Sequence, residues 1–261
     1  MIYDDTNEST IENTKAWLVR CTVQLDWYNV ESDDYQPIAS GVCLTFQGLK
    51  IIVTADHVLS ESRYKSFFVK RTKGDRGSIH LRGYYFSCMP HFDLGYFVLE
   101  PDCYNELSSY YHFITFPFLS ENYVNTYGKS PLLIAGFPWR KTKKISDGFM
   151  VKFKVQMLMS SREFAYDNMA KSDCVILQRN KKVFDPKSGQ KHKVIKYDGM
   201  SGCGIWMIEN DLLYAEPNPN ISLVGILYEG SNEHLYGIRL DVLFNSVYQF
   251  RSHANIGFEY N

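Results

Sequence analysis

Residues 51–58 read Ile51-Ile52-Val53-Thr54-Ala55-Asp56-His57-Val58. The run of apolar and β-branched residues predicts a buried strand that ends near Thr54. His57 follows where the chain leaves this strand. Because an unperturbed histidine has a pKa of about 6.5, it can take up and release a proton at neutral pH. A single histidine at a strand end is more often structural, so the interpretation of His57 as a base depends on its partners.

Two further stretches supply the partners that such a base needs. Asp93 opens the alternating segment Phe92-Asp93-Leu94-Gly95-Tyr96-Phe97-Val98-Leu99, and Ser201 stands in the glycine-rich turn Asp198-Gly199-Met200-Ser201-Gly202. A serine hydroxyl needs an adjacent base to become a nucleophile, and a carboxylate must orient that base. Each stretch alone has an ordinary explanation as a strand cap or a loop. Together, in this order, they predict a catalytic triad of His57, Asp93 and Ser201.

Short strand-like segments run along the chain in two series. They comprise residues 16–26, 38–46, 49–54, 66–70, 78–81 and 93–99, followed by residues 132–136, 150–158, 174–178, 203–207, 223–227 and 235–239. Evenly spaced short strands with few helical patterns indicate a sandwich or a barrel. Residues 101–131 have weak periodicity and predict the connection between the two halves. Residues 241–250 have apolar side chains at helical spacing, which predicts a closing helix.

The three stretches resemble motifs of the chymotrypsin-like serine peptidases. Thr54-Ala55-Asp56-His57 is similar to that family's Thr-Ala-x-His, Asp93-Leu94-Gly95 to its Asp-Ile-Ala, and Gly199-Met200-Ser201-Gly202 to its Gly-x-Ser-Gly. The order His, Asp, Ser along the chain is also that of chymotrypsin-like enzymes, whereas subtilisins and α/β-hydrolases use other orders. Ile134-Ala135-Gly136-Phe137-Pro138 resembles the opening of the second barrel in the HtrA-like and glutamyl-endopeptidase-like bacterial members. Leu223-Val224-Gly225-Ile226-Leu227 resembles the strand that runs past the substrate in this family.

This resemblance implies an all-β fold made of two six-stranded antiparallel β-barrels with a short C-terminal helix. It assigns residues 12–115 to an N-terminal barrel that carries His57 and Asp93. Residues 125–240 would form a C-terminal barrel that carries Ser201, and residues 241–261 would form the C-terminal helix and tail.

The resemblance also implies a role for each site residue. Ser201 would attack a peptide carbonyl, with His57 acting first as base and then as acid, while Asp93 orients His57. The backbone N–H groups of Gly199 and Ser201 would form the oxyanion hole. The residues that would line the primary specificity pocket are Ile195, Lys196, Tyr228, Glu229, Gly230 and Gly237. Ile195 stands where trypsin has its acidic residue, so nothing there favours cleavage after Arg or Lys.

Two positions depart from the family pattern. Met200 replaces the aspartate that pairs with a freshly cut N-terminus in secreted animal members. We therefore do not expect activation through that salt bridge. Cys203 stands where the family usually has glycine, and we interpret it as a small side chain packed beneath the turn. The alternative is a redox brake beside the nucleophile.

Composition bounds the other classes of function. The formal net charge of −1 does not favour nucleic acid or an acidic membrane surface as a partner. No apolar run approaches the roughly 20 residues of a membrane helix, and the N-terminus does not resemble a secretory signal, so we expect a cytoplasmic protein. The six cysteines include no C-x-x-C pair. We expect them to be reduced and mostly buried, and we expect neither a metal nor an organic cofactor.

Basic residues form two clusters outside the triad motifs. They are Arg140, Lys141, Lys143 and Lys144 in the first, and Arg179, Lys181, Lys182, Lys187, Lys191 and Lys193 in the second. Solvated hairpin faces are the default interpretation of both. The second cluster leads into the glycine-rich turn at residues 198–202, which we call the nucleophile turn because it carries the predicted nucleophile Ser201. The alternative interpretation of this cluster is therefore a docking site for an acidic protein or a nucleic-acid activator.

The sequence therefore predicts a serine endopeptidase that acts on a protein or peptide substrate. An unrestrained peptidase would be hazardous in the cytoplasm, which indicates narrow specificity or an inactive resting loop switched by a partner. Analogy with similar-looking bacterial proteins suggests a regulated effector of bacterial defence. Two alternatives remain open, which are a non-catalytic binding module that keeps the fold and an esterase that uses the same triad.

Overall fold

The computed structural model describes residues 5–31, 33–60, 66–71, 77–87, 93–115, 132–138, 143–145, 148–150, 152–158, 174–179, 182–184, 191–193, 197–208, 221–231 and 233–254. These residues form a mostly β structure. Their strands are β1 (Thr22–Asn29), β2 (Asp34–Phe46), β3 (Leu49–Thr54), β4 (Phe67–Lys70), β5 (Ser78–His80), β6 (Gly83–Ser87), β7 (Gly95–Leu99), β8 (Leu132–Gly136), β9 (Lys143–Ile145), β10 (Gly148–Met150), β11 (Lys154–Leu158), β12 (Cys174–Gln178), β13 (Lys182–Phe184), β14 (Lys191–Lys193), β15 (Gly204–Ile208), β16 (Ile221–Gly230) and β17 (His234–Arg239). Their helices are α1 (Asp5–Cys21), α2 (Asp56–Leu59), α3 (Pro101–Ser108) and α4 (Leu240–Ala254).

The first antiparallel sheet has the strand order β5-β4-β1-β2-β3-β7-β6. Its two edge strands, β5 and β6, are consecutive in the chain, and only Leu81 and Arg82 separate them. The sheet therefore curls into a half-barrel, and this segment links its two edge strands. The apolar run of β3 is buried along its whole length apart from Lys50, which explains why it contains β-branched residues at successive positions.

The second antiparallel sheet has the strand order β11-β8-β15-β16-β17-β12. Its described edge strands, β11 and β12, do not pair with each other. The predicted closed six-stranded barrel is thus only partly present: the six strands are there, but the described part of this sheet is open. The first sheet likewise has seven strands rather than six, because the chain bends between β5 and β6.

The two sheets share one pattern of neighbours. To compare the two sheets, we count β5 and β6 as halves of one bent strand and number the six strands of each sheet from 1 to 6 in chain order. The first sheet then has the strand order 4-1-2-3-6-5, and its strand 5 also pairs with strand 4 through β5. The second sheet runs 2-1-4-5-6-3. All five neighbour pairs of the second sheet occur in the first. The second sheet therefore has the same pattern of strand neighbours as the first, without a pairing between its second and third strands.

Buried side chains join the two sheets. The larger buried cluster contains Val53 of the first sheet together with Ala135, Trp206 and Ile226 of the second. Helix α1 packs there as well, since Trp17 meets Trp206 edge to face with ring centroids 5.4 Å apart. Helix α4 reaches back across the molecule, and its Phe244 stacks on Phe46 of β2 at 4.2 Å.

The structure differs from the sequence prediction at the N-terminus. Residues 16–21, predicted as the start of a strand, form the last turns of α1, and the strand begins only at Thr22. Buried Thr14, Leu18 and Cys21 stand at the i, i+4 and i+7 spacing of a helix face. That periodicity competes with the alternating pattern in the same residues, and the helical one prevails.

The structure also contains a helix and a strand that the sequence patterns did not predict. Helix α3 begins within the segment predicted as a plain connection, where Pro101 occupies the first turn and Cys103 and Leu107 face the core. Strand β6 was not predicted. The described lysines of both basic clusters fall on two-stranded hairpins, β9–β10 and β13–β14. Arg179 of the second cluster instead follows β12. None of the helices within the described ranges is long and apolar enough to cross a membrane.

Candidate active site

The pairing of β3 with β7 brings His57 and Asp93 together. Their antiparallel register sets Thr54 opposite Gly95, so the residues just beyond each strand end lie side by side. The Asp93 carboxylate accepts the backbone N–H of His57 at 2.8 Å, and its second oxygen lies 2.5 Å from His57 Nδ1. Because an ionised carboxylate only accepts hydrogen bonds, Nδ1 carries the proton and the neutral ring leaves Nε2 free as a base.

Electrostatics strengthens His57 as a base. The hydrogen bond that His57 Nδ1 donates to Asp93 raises the pKa of His57 above its ordinary value. Partial burial opposes this effect, whereas the negative charges of Asp93, Asp56 and Glu229 add to it. The imidazole is 55% exposed, so it can reach a bound molecule. The arrangement stabilises the imidazolium that would form when His57 takes a proton.

The carboxylate of Asp56, the residue next to His57, is bound to a different partner from the imidazole. The Tyr85 hydroxyl of β6 donates a hydrogen bond to Asp56 Oδ1. Gly95 makes room for this contact, because a Cβ at Gly95 would lie 3.2 Å from Asp56 Oδ1 and 3.1 Å from the Tyr85 ring. Tyr85 and Gly95 therefore anchor the residue next to His57, and they fix the start of α2.

The nucleophile turn is shaped by two glycines. Gly199 and Gly202 have φ values of +85° and +82°, in the left-handed region that favours glycine. The turn is closed by the N–H of Met200 bonding to the Tyr197 carbonyl at 2.8 Å and that of Cys203 to the Met200 carbonyl at 2.9 Å. Within the described residues, the N–H groups of Gly199 and Ser201 donate to no acceptor. Two unpaired N–H groups in one turn are what an oxyanion hole requires.

A bulge in β16 holds the Ser201 side chain. The pairing of β16 with β17 shifts between Leu227 and Glu229, which leaves Tyr228 as the extra residue. Ser201 Oγ donates to the Tyr228 carbonyl at 3.4 Å. No hydrogen bond joins Ser201 Oγ to His57, both of which belong to the described part of the chain. The structure thus brings His57 and Asp93 into direct contact and leaves Ser201 on a different partner.

The nucleophile turn is nevertheless packed against the strand that leads to His57. A Cβ at Gly202 would lie 2.0 Å from Thr54 Oγ1 and 2.2 Å from the Ser40 carbonyl oxygen. The Ser40 N–H donates to the Ser201 carbonyl at 3.0 Å, and Thr54 Oγ1 donates to the Ser40 carbonyl at 2.7 Å. Ser40 of β2 also accepts, through its hydroxyl, the N–H of Phe137 at 2.8 Å. One serine therefore links β3, the nucleophile turn and the end of β8.

The residues predicted to line the specificity pocket have different fates. Ile195 and Lys196 lie outside the described residues. The Tyr228 side chain is buried in the larger core cluster, while Glu229 and Gly230 are exposed. Gly237 is packed against the interior, since a Cβ there would lie 2.1 Å from the Ile205 side chain. Of the described members of this set, Glu229 and Gly230 face solvent, and Glu229 lies close enough to His57 for its charge to raise the histidine pKa.

Cys203 is fully buried beneath the turn, and burial raises the pKa of its thiol well above the ordinary value. A thiol that stays protonated and shielded from solvent is a poor target for oxidants, which favours the packing interpretation over the redox brake. Cys21, Cys43, Cys103 and Cys174 are likewise buried, and none of the four forms a disulfide. Met200 is fully buried as well, so no charged group from this position reaches the site.

Sequence motifs predicted His57, Asp93 and Ser201 as site residues, but they gave no indication of the residues that contact these three, or the neighbouring Asp56, in the structure. Ser40, Tyr85 and the Tyr228 carbonyl act through tertiary contacts between segments distant in the chain. Ser40 lies in the continuously buried part of β2, where a serine carries no distinguishing signal in the sequence.

Among the residues described here, no group of three or more His, Cys, Asp or Glu side chains could hold a metal ion. No protein-family model matches this chain, and no curated protein is significantly similar to it.

Proposed function

We propose that this chain is a serine endopeptidase of the chymotrypsin-like type, with His57, Asp93 and Ser201 as its triad. The observation that carries the proposal is the hydrogen-bonded pair of His57 Nδ1 and Asp93, which leaves Nε2 as a free base. A cap or an isolated surface histidine would not need both a backbone and a side-chain bond to the same carboxylate. The unpaired N–H groups of Gly199 and Ser201 add support.

The chemistry follows from these groups. Ser201 Oγ forms a bond to the carbonyl carbon of a peptide, and its proton passes to His57 Nε2. The electron pair of the carbonyl double bond moves to oxygen, where the N–H groups of Gly199 and Ser201 stabilise the charge. The C–N bond then breaks as His57 returns the proton to the leaving amine. Water repeats the sequence on the acyl-enzyme and regenerates Ser201.

The shared strand order supports two barrels of one topology. Each neighbour pair in the second sheet has its equivalent in the first, and the first sheet is curled, with its edge strands β5 and β6 linked by Leu81 and Arg82. We propose that the second sheet closes in the same way between β11 and β12. The triad would then lie where the two barrels meet, at the contact of Ser40, Thr54 and Gly202.

The position of the Ser201 hydroxyl indicates a resting state. Attack requires its proton within reach of His57 Nε2, whereas Ser201 Oγ donates to the Tyr228 carbonyl. We propose that substrate or a regulatory partner releases this bond. The same observation favours one alternative, a binding module in which the hydroxyl never leaves Tyr228.

Peptide turnover tests the proposal. Wild-type chain should cleave members of a fluorogenic peptide library, and Ser201→Ala and His57→Ala should each lose at least about a thousandfold in kcat. Ser108→Ala, which removes an exposed hydroxyl on α3, is the matched control and should keep wild-type turnover. Equal turnover by wild type and Ser201→Ala would refute the assignment. If the library and a set of ester substrates both remain intact, the binding module is the better account.

A further inference from the structure

Two buried polar side chains beside the nucleophile turn lack hydrogen-bond partners. Gln156 of β11 is 7% exposed, and neither its Oε1 nor its Nε2 bonds to any described group. The hydroxyl of Tyr197 is also buried and unpaired within the described residues. Buried polar atoms in proteins are almost always paired, so unpaired atoms in native structures indicate a missing partner. Here two such residues occur together.

These groups lie on the interior side of the second sheet. Gln156 pairs with Ile134 of β8, and Ile134 belongs to the smaller buried cluster. Tyr197 packs against the same cluster, which also contains Met200 and Cys203 of the nucleophile turn. The Gln156 amide is close enough to the Tyr197 hydroxyl to lower its pKa, but the two groups do not meet hydrogen-bond geometry.

Tyr197 connects this polar patch to the reaction centre. Its carbonyl accepts the N–H of Met200 at 2.8 Å, and it precedes Gly199 by two positions. A substrate carbonyl held by Gly199 and Ser201 would place its own side chain beside the segment that leads into the turn. Of the described buried polar atoms without a hydrogen-bond partner, those of Gln156 and Tyr197 lie against the cluster that contains Met200 and Cys203 of this turn.

The electrostatics of the patch favour a neutral ligand. Burial raises the pKa of Tyr197 to about 12, although the charge of Arg179 and the Gln156 amide act in the opposite sense. The hydroxyl is therefore a neutral donor at physiological pH. The Arg179 guanidinium lies over the Tyr197 ring, 5.1 Å from its centroid, and donates to the Ser231 carbonyl. Arg179 thus contacts the Tyr197 ring and the Ser231 carbonyl. The unpaired polar atoms of the patch belong to Gln156 and Tyr197.

We propose that Gln156 and Tyr197 recognise a carboxamide side chain, glutamine or asparagine, on the substrate residue whose carbonyl Ser201 attacks. This inference rests on the proposed peptidase function. Gln156 offers an unpaired donor and an unpaired acceptor, and Tyr197 offers a further donor. A carboxamide presents both an acceptor oxygen and a donor nitrogen, so it satisfies all three atoms. A carboxylate would face the Gln156 oxygen with charge, and an aliphatic side chain would leave every atom unpaired.

Binding to a catalytically dead chain tests this independently of turnover. We would titrate Ser201→Ala with N-acetyl tetrapeptides that differ only in a C-terminal Gln, Glu or Leu, and follow binding by calorimetry. The Gln peptide should bind at least about tenfold more tightly than the other two. Adding Gln156→Leu should abolish this preference. Adding Thr22→Val, which removes an equally buried and unpaired hydroxyl from the first sheet, should leave it unchanged.

Each outcome has a defined meaning. Equal binding of the three peptides, or a preference that survives Gln156→Leu, overturns the inference, and so does preferential binding of the Glu peptide. Thermal unfolding gives a second measurement, because Gln156→Leu should raise Tm if its amide lacks partners, and a clear fall in Tm would show that the amide is satisfied internally. Labelling of wild-type Ser201 by a fluorophosphonate tests the peptidase function separately. A chain that is labelled but shows no preference for the Gln peptide would therefore overturn this inference and leave the proposed function standing.

Discussion

The contact between the nucleophile turn and the first sheet can be tested with two glycine substitutions. Gly202 and Gly48 have nearly equal φ values, +82° and +78°. Their surroundings differ. A Cβ at Gly48 would meet nothing within 4 Å, whereas a Cβ at Gly202 would overlap Thr54 Oγ1 and the Ser40 carbonyl oxygen. Gly48→Ala therefore measures the backbone strain alone, and Gly202→Ala measures strain together with the clash.

The expected magnitudes follow from these environments. An alanine in the left-handed region costs about 1–2 kcal/mol. At Gly202 the new methyl group also overpacks the site, which adds about 1–3 kcal/mol, because the Ser40 carbonyl belongs to a paired strand and cannot move freely. Loss of the hydrogen bond between Thr54 and Ser40 adds about 1 kcal/mol. We therefore expect Gly202→Ala to lower the free energy of unfolding by about 3–6 kcal/mol.

Equilibrium unfolding in urea, followed by tryptophan fluorescence, measures both variants against wild type. The prediction is a loss for Gly202→Ala at least twice that for Gly48→Ala, with similar m values. If the two variants lose the same stability, the turn that carries Ser201 does not pack on Ser40 and Thr54, and the proposed meeting of the triad residues loses its structural basis.

Three further predictions concern titration and burial. Asp93→Asn should lower the pKa of His57, because the Asp93 hydrogen bond is the main cause of its elevation; an imidazole NMR titration identical to wild type would contradict this. Thr22→Val should raise the free energy of unfolding by about 1 kcal/mol, because Thr22 Oγ1 is buried without a partner in the described residues; a destabilised variant would show a missed partner. Burial raises the pKa of Asp26 to about 7, so the folded chain keeps a proton that the unfolded chain loses from about pH 4 upward. Wild-type stability should therefore decline between about pH 4 and pH 7 relative to Asp26→Asn, and parallel pH profiles from urea unfolding would refute the burial of a protonated carboxyl.

Sequence patterns located the strands that are buried on both faces. β3, β8 and β12 have the predicted bounds, because each is an apolar run, interrupted in β3 by Lys50, that ends at a polar residue or a glycine. The prediction of a strand at residues 16–21 was wrong, because these residues satisfy both an alternating and a helical pattern and in fact form the end of α1. Helix α3 was missed because only Cys103 and Leu107 of its residues are buried, which leaves its periodicity faint.

The candidate site was predictable to the extent that its motifs are local. His57, Asp93 and the glycines around Ser201 each stand in a short, recognisable stretch. Ser40, Tyr85 and Gln156 could not be identified, because their roles arise from strand pairing and from contacts between segments far apart in the chain. The hydrogen bond from Ser201 Oγ to the Tyr228 carbonyl is made at a bulge in β16, and no local sequence pattern predicts that bulge.

Covalent labelling of Ser201 tests the central claim most directly. Wild-type chain would be incubated with a fluorophosphonate, and the intact mass and the modified peptide would be determined by mass spectrometry. Our account predicts one adduct, located on Ser201, that forms far more slowly in His57→Ala and is absent in Ser201→Ala. A wild-type chain that acquires no adduct, or one that reacts at the same rate without His57, would contradict the assignment of Ser201 as an activated nucleophile.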